Sequence, residues 1–477
     1  MKSPYTEYLE SKTETELNII AHIKRFLECF VGDREFRESV SDSSQSTDAL
    51  ALERGIQLEN LESLRPVYDQ EFAHFRKDAT VETWTLTALW DEYHGTLTAS
   101  LPFYAWSGDS DGVTEDFDNW RQKQMIRTAF DVGAAARGLT HPPVAFELSD
   151  GCSVGCWFCG ISAKKFGGHF PLDAVGVEHW REILEATQSV IGRGMVAGFC
   201  YWATEPLDHP DYVKFLETYY QVTGVIPQTT TAIPLRNEEL TRNVLSLWDK
   251  SKFVPNRFSV LTTPILRRIH NIFTPEELLG VELVLQGFES LTPKSNAGKA
   301  YENGENKRPV KSKSDNMQEG TIACVTGFLV NLPNSTVRLV SPTLPSKEWP
   351  DGYYVFSSAK FKDPSDLAQK MREMAFAESR KMLSSKTPIS LSSSYRFENE
   401  GEAIKLRNDI FGFTMDIFSI IGPMLDSGKY SPNEILKKAV ADGYDPILVM
   451  KIMSDLTNSG FVGDVLRPAS ASVEELV

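Results

Sequence analysis

The chain has 477 residues, of which 41% are hydrophobic and 24% are charged. Because one hydrophobic core usually stops growing at roughly 250–300 residues, we expect two or three structural units instead of one small module. The 65 acidic residues outnumber the 49 basic ones and give a net charge of -16. This charge argues against nucleic-acid binding, which needs a basic surface, but it is compatible with a basic peptide partner.

The sequence carries no signal for a membrane or for secretion. No stretch approaches the roughly 18 uninterrupted apolar residues of a membrane span. The N-terminal stretch MKSPYTEYLESKTETE also lacks the apolar core of a secretory signal. We therefore expect a cytoplasmic protein without membrane association.

Residues 1–138 form the first predicted unit, an N-terminal helical domain. Leu17, Ile20, Ile23 and Leu27 recur at helical spacing. No residue pattern in this region indicates catalysis, so we interpret it as an acidic packing or docking domain.

Residues 139–345 form the second predicted unit, in which short apolar segments alternate with helical stretches. This alternation is typical of repeated βα units around a parallel sheet, and about six units predict an α/β fold with a partial (βα)6 TIM-like barrel. A polar loop at 294–320 precedes the last segment and is either a plain insertion or a lid. The predicted strands are 144–150, 197–203, 226–233, 257–263, 281–287 and 321–330.

Residues 346–477 form the third predicted unit, a mainly helical C-terminal region. Ser431 and Glu434 predict a capping box, and a following helix is expected to begin at Pro446 and to end at Gly460. The helix pair is either a small bundle packed on the barrel or a helix-turn-helix or winged-helix-like unit that holds a peptide.

The distribution of the six cysteines is the most informative feature of the composition, since three of them fall within eight residues. Cys152, Cys156 and Cys159 follow the first predicted strand directly, at spacings of three and two residues. Three thiolates can face one centre and leave the fourth iron of a [4Fe-4S] cluster open to an external ligand. A zinc site with His169 as the nearest spare ligand and a disulfide are the alternatives, and six cysteines are too few for a disulfide scaffold.

The cysteine motif, with Phe158 before its last cysteine, resembles the signature of the radical S-adenosylmethionine (SAM) superfamily. The resemblance implies the partial barrel fold and two cofactors, a [4Fe-4S] cluster and SAM bound to its open iron. Electron transfer from the reduced cluster then cleaves SAM and gives a 5'-deoxyadenosyl radical. The resemblance also implies an electron donor such as flavodoxin or ferredoxin.

Further SAM contacts follow from the same resemblance. The element that ends in Thr204, Glu205 and Pro206 is similar to the Gly-Gly-Glu-Pro element of the family, in which the glutamate holds the SAM amino group. Thr204 stands where the family has a glycine, and Glu205 is alternatively the acidic residue that starts a helix at Pro206. Thr230 on the third predicted strand and Arg257 and Ser259 on the fourth are candidates for the ribose and carboxylate of SAM, with core or turn roles as the alternative.

Segments 198–212, 320–331 and 338–356 resemble the radical SAM peptide epimerases, which convert L-residues of ribosomal precursor peptides to D-residues. After the radical removes a Cα hydrogen, inversion needs a hydrogen donor on the opposite face. We hypothesise that the thiol of Cys324, on the last barrel strand, is that donor, and that Cys200 is a core residue or a second thiol that re-reduces Cys324. No cysteine follows Cys324, so auxiliary clusters are not expected.

Two other functions stay open from the sequence. One is a different single-cluster radical SAM reaction on a peptide or small molecule, which needs no thiol on the opposite face. The other is a binding protein that is stabilised by zinc. The site of precursor-peptide docking is also open between the N-terminal helices and the C-terminal helix pair.

Overall fold

The fold is mixed α/β. A computed structural model describes residues 2–42, 46–305, 317–318, 320–379, 386, 388–391, 395–398, 403–406, 412–414, 417–458 and 460–464. The helices are α1 (Pro4–Ser11), α2 (Glu14–Gly32), α3 (Arg34–Ser41), α4 (Thr47–Glu53), α5 (Arg65–Tyr68), α6 (Thr85–Trp106), α7 (Glu115–Val132), α8 (Ala174–Ile191), α9 (Tyr212–Thr223), α10 (Glu238–Trp248), α11 (Thr263–Ile272), α12 (Lys299–Glu305), α13 (Pro364–Ser379), α14 (Phe418–Ser427), α15 (Pro432–Ala441) and α16 (Pro446–Asn458).

The strands are short and belong to several small sheets. They are β1 (Val144–Glu147), β2 (Ser149–Asp150), β3 (Gly168–His169), β4 (Thr230–Thr231), β5 (Asn256–Val260), β6 (Val281–Leu285), β7 (Lys294–Ser295), β8 (Met317–Gln318), β9 (Gly327–Asn331), β10 (Thr336–Pro342), β11 (Tyr353–Lys360), β12 (Ile389–Leu391), β13 (Tyr395–Glu398), β14 (Ala403–Leu406), β15 (Gly412–Thr414) and β16 (Val462–Asp464).

Two parallel groups of strands form the centre of the molecule. In one group β1 pairs with β9, and in the other β4, β5 and β6 pair in chain order. The segment around Phe199 joins the groups, because Ala145 forms a parallel bridge with Phe199 and the Tyr201 hydroxyl accepts a hydrogen bond of 2.7 Å from Thr230 Oγ1. The strands of the described residues form no closed barrel.

The sixth predicted strand differs from the expectation in its extent and its neighbour. The ladder of β9 begins at Gly327, so Cys324 lies three residues before the strand and not on it. β9 pairs with β1 and continues through β10 into β11, instead of lying beside β6. The reason is local: a Cβ on Gly327 would stand 1.9 Å from the Pro143 carbonyl oxygen, so glycine permits this close approach to β1.

The largest core lies between the β1 side of the sheet and the helices that cover it. Phe146 on β1 packs edge to face against Trp180 of α8, with ring centroids 5.0 Å apart, and Trp180 packs against Phe215 of α9. These side chains are fully buried in one cluster that also includes residues of α13. The outer face of the strands is therefore closed by helices, as expected for βα units.

Helices α1 and α6 and the residue before α1 contact the segments that lead into β5 and β6. Ser3 Oγ and the Tyr104 hydroxyl donate hydrogen bonds of 2.6 and 2.9 Å to the Phe253 carbonyl, and the Tyr93 hydroxyl donates one of 3.1 Å to the Leu279 carbonyl. Phe253 and Leu279 lie three and two residues before β5 and β6. Helices α1 and α6 thus contact the amino ends of these strands, whereas the end of α2 contacts the segments that follow them, at Thr263 and Leu291.

The C-terminal region combines helices with short antiparallel strands. Ser431 and Glu434 form the predicted capping box, and α16 begins at the predicted Pro446. β12 pairs with β16 beside α14, α15 and α16. In the polar loop predicted at 294–320, residues 306–316 and 319 lie outside the described residues, so the lid interpretation stays a prediction. No helix in the described parts of the chain is long and apolar enough to cross a membrane.

Candidate functional site

The loops that carry the predicted site residues leave the carboxyl ends of neighbouring parallel strands. The cysteine loop follows β1 and β2, Glu205 follows the Phe199 bridge, and Thr231 ends β4. Because carboxyl ends of parallel strands meet at one edge, these loops converge. Thr231 Oγ1 donates a hydrogen bond of 2.6 Å to Glu205 Oε1, which joins two of the loops directly.

Backbone contacts fix the cysteine loop at both ends. The Cys152 amide donates to the Lys164 carbonyl at 2.9 Å, and the Cys159 carbonyl accepts from the Lys299 amide at 2.9 Å. Gly151 has a φ of +80°, and a Cβ there would stand 2.5 Å from the Lys165 carbonyl oxygen, so the turn into the loop requires glycine.

The three thiols of the loop are partly exposed and reduced, and they influence one another electrostatically. Burial, together with the charges of Cys159 and Cys152, raises the pKa of Cys156 to about 11. The Val154 amide donates to Cys152 Sγ at 3.4 Å, and the Ala163 amide donates to Cys159 Sγ at 3.3 Å. Within the described residues no three His, Cys, Asp or Glu side chains form a group that could hold a metal ion as they stand.

Glu205 is a buried carboxyl group, 3% exposed, at the centre of the site. Besides the bond from Thr231 it accepts hydrogen bonds from the Ala232 amide at 2.8 Å and the Leu207 amide at 3.1 Å. Burial raises its pKa to about 7, although these hydrogen bonds lower it. The Leu207 contact caps the short 3-10 helix Pro206–Asp208, so the helix-start interpretation is confirmed. In the described part of the chain no Lys, Arg or His pairs with this carboxylate, which therefore suits a cationic ligand group.

The other predicted SAM contacts lie on the inner side of β4 and β5. Thr230 hydrogen-bonds to Tyr201, and Arg257 Nε donates to Glu282 Oε2 at 2.7 Å from the neighbouring position on β6. Ser259 is two residues beyond Arg257 and shares its face of the strand. Glu282 was not identified from the sequence. An acidic residue in an apolar strand, next to a strand with a central arginine, is a signal for such an ion pair.

Thr204 and Phe158 lie on the loops themselves and are both partly exposed. Phe158 packs edge to face against Trp157, with ring centroids 5.3 Å apart. The described contacts give Thr204 no hydrogen-bond partner from its side chain, so its predicted role depends on a ligand.

Cys324 faces the interior between the two groups of strands. It is partly exposed and packs, with Ile161 and Tyr201, against the apolar cluster around Phe199. Burial raises the pKa of the Cys324 thiol to about 11, and the positive charge of Arg257 opposes this shift. The thiol is therefore protonated near neutral pH.

Two other cysteines are buried in apolar cores. Cys200 is fully buried in the core that faces the helices, a different cluster from the one that Cys324 contacts. Cys29 is buried on α2 and contacts His270 Nδ1 at 3.4 Å. His169, the sequence candidate for a fourth zinc ligand, hydrogen-bonds to Ser149 Oγ at 3.2 Å and packs its ring against His209.

The uncharacterized protein y4wI of Sinorhizobium fredii (strain NBRC 101917 / NGR234) is 35% identical to this chain over 473 residues, which cover 97% of this chain and 91% of y4wI. The chain belongs to the y4wI family. Membership extends over the helical regions at both ends of the chain as well as over the strands and loops of the site. No family model and no solved structure matches the chain.

Proposed function

We propose that this y4wI-family protein is a radical SAM peptide epimerase with a partial (βα)6 barrel. The combination of three features carries the proposal. Two of them follow the carboxyl ends of parallel strands, and the third lies in the segment that leads into the amino end of β9. These features are the loop of Cys152, Cys156 and Cys159, the buried carboxyl of Glu205, which has no ion-pair partner among the described residues, and the protonated thiol of Cys324. The substrate is a ribosomal precursor peptide, and we expect the reaction to occur in the cytoplasm with flavodoxin or ferredoxin as electron donor.

The residue types match the two cofactors, and the three thiols would have to converge for a cluster to bind. Three cysteines in one glycine-containing loop offer three thiolates, and the mutual repulsion of Cys152, Cys156 and Cys159 would be relieved by iron. Glu205 would pair with the SAM amino group through a charge-assisted hydrogen bond. When bound, the reduced cluster and SAM supply the 5'-deoxyadenosyl radical that removes a Cα hydrogen from the peptide.

Cys324 completes the inversion. Its S–H bond breaks and a new Cα–H bond forms on the face opposite to the abstraction, which leaves a D-residue and a thiyl radical on Cys324. One electron and one proton from the external reductant restore the thiol. A thiol with a pKa of about 11 carries this hydrogen throughout the neutral range.

Anaerobic reconstitution with iron and sulfide tests the proposal. The wild type should bind iron and sulfide, cleave SAM and give D-residues in a co-expressed precursor peptide, as detected by chiral analysis. Replacement of Cys152, Cys156 and Cys159 by alanine should abolish iron and sulfide binding. Retention of the brown chromophore, or stoichiometric zinc without sulfide in the wild type, would contradict the cofactor assignment.

The Cys324→Ala variant separates epimerisation from another single-cluster reaction. We expect it to retain SAM cleavage and to lose D-residue formation, whereas a reaction that needs no donor on the opposite face would continue. Cys200→Ala is the matched control, since it removes a thiol from the core that faces the helices. It should keep D-residue formation.

A further inference from the structure

Exposed apolar side chains border the cysteine loop on two sides. Trp157 and Phe288 are 44% and 63% exposed, and their rings stack at a centroid distance of 6.3 Å with an interplanar angle of 16°. Ile322 is 51% exposed, and its Cδ1 lies 2.7 Å from where a Cβ on Gly160 would stand, so it rests on the loop next to Cys159. We call Trp157, Phe288 and Ile322 the apolar rim.

Ile322 and Cys324 lie on the same side of their segment, as the alternation of burial along it indicates. Where side chains alternate between two faces, residues two apart share a face. Thr321, Ala323 and Val325 are buried, whereas Ile322 and Cys324 are both accessible. Ile322 therefore lies on the accessible side that carries the proposed hydrogen donor.

This arrangement restricts the side chain that a substrate peptide can carry at its reacting residue. A thiol that transfers a hydrogen atom to Cα must approach within contact distance of that carbon, so the side chain on the same Cα lies within reach of Ile322. A charged side chain there would lose water against an apolar surface without gaining a partner, whereas an apolar one would be buried favourably.

We propose that the apolar rim selects peptides whose reacting residue has an apolar side chain, with Ile322 in contact with that side chain. The inference rests on the proposed function, because it takes Cys324 as the group that meets the substrate Cα. The occupant of the rim is thus the reacting segment of the precursor peptide.

Protection of Cys324 from alkylation tests whether the apolar rim prefers apolar side chains. The measurement uses the protein without its cofactors. The probes are acetyl-Gly-Val-Gly-amide and acetyl-Gly-Asp-Gly-amide, and the alkylation of Cys324 by iodoacetamide is followed by peptide mass spectrometry. We expect the valine peptide to protect at about one tenth of the concentration that the aspartate peptide needs, as burial of one valine side chain predicts. Equal protection by the two peptides would overturn the proposal.

Two variants and a matched control show whether the protection of Cys324 depends on the apolar rim. Ile322→Asp and Phe288→Asp should each reduce protection by the valine peptide, and the second variant keeps the test valid if the first fails to fold. Leu52→Asp changes an equally exposed apolar side chain on α4 and should leave protection unchanged. Unchanged protection in both rim variants would exclude the rim as the contact.

The apolar rim could instead bind the electron donor. The rate of cluster reduction distinguishes the donor from the peptide as the occupant of the rim. If the rim variants slow reduction of the reconstituted cluster by flavodoxin but leave peptide protection unchanged, the rim binds the donor and the proposal is wrong. Absence of SAM cleavage in the wild type would refute the proposed function, whereas the protection results would still decide whether the rim prefers apolar side chains.

Discussion

The replacement Glu205→Gln tests the electrostatics of the site. The pKa of Glu205 rises from an ordinary value of 4.5 to about 7 because the carboxyl group is buried. Between these two pH values the native protein binds more protons than the unfolded chain. The contribution of Glu205 to the free energy of unfolding is therefore largest below about pH 4.5 and is lost as the pH rises through 7, by about 3 kcal/mol in total.

Glutamine stays neutral, so the variant should not show this loss. The difference in free energy of unfolding between the wild type and Glu205→Gln should change in favour of the variant by about 3 kcal/mol from pH 4.5 to pH 8. Urea unfolding across this range measures the difference, with Glu59→Gln at an exposed carboxyl as the control. A difference that does not depend on pH would refute the assignment of a raised pKa to Glu205.

The same carboxyl predicts a proton balance for SAM binding. A cationic amino group next to Glu205 stabilises the carboxylate, so binding at pH 6 should release a proton from the wild type. Titration calorimetry of the reconstituted protein in buffers with different ionisation heats detects the release. Glu205→Gln should bind SAM without it, and an identical buffer dependence in both proteins would contradict the contact.

Two further predictions concern the donor thiol and the strand that follows it. Glu282→Gln leaves the Arg257 charge uncompensated, so the pKa of Cys324 should fall below about 11, as seen in the pH profile of iodoacetamide alkylation; an unchanged profile would contradict the coupling between Arg257 and Cys324. Gly327→Ala would push a Cβ to within 1.9 Å of the carbonyl oxygen before β1 and should destabilise the protein by at least about 2 kcal/mol in urea unfolding. Gly95→Ala on α6 meets no atom within 4 Å and should be neutral or stabilising, and a similar loss in both variants would contradict the packing argument.

Local sequence signals predicted the parts of the site that depend only on residues close together in the sequence. The cysteine motif and the run from Thr204 to Pro206 each span only a few consecutive residues, so the local sequence was sufficient to identify them. The alternation of short apolar segments with helical stretches predicted β5 and β6 within three residues of their observed bounds. These segments form as expected because side-chain period and backbone geometry agree.

Features set by contacts between distant segments were not predictable in the same way. The apolar run 321–330 reads as one strand, yet the ladder begins at Gly327 because only there does the chain approach Pro143 closely enough to pair with β1. The predicted strand 197–203 forms a single bridge at Phe199, and β10 and β11 were not predicted as strands. The register that sets Arg257 beside Glu282 is likewise a property of the assembled sheet.

The most direct test of peptide epimerisation through Cys324 is hydrogen incorporation from heavy water. The reconstituted protein and a neighbouring precursor peptide are incubated in deuterium oxide, and each D-residue is analysed for Cα deuterium by mass and chiral analysis. We expect one deuterium per D-residue with the wild type and with Cys200→Ala, because the Cys324 thiol exchanges its proton with solvent, and no D-residues with Cys324→Ala. D-residues that carry deuterium in the Cys324→Ala reaction would contradict the account.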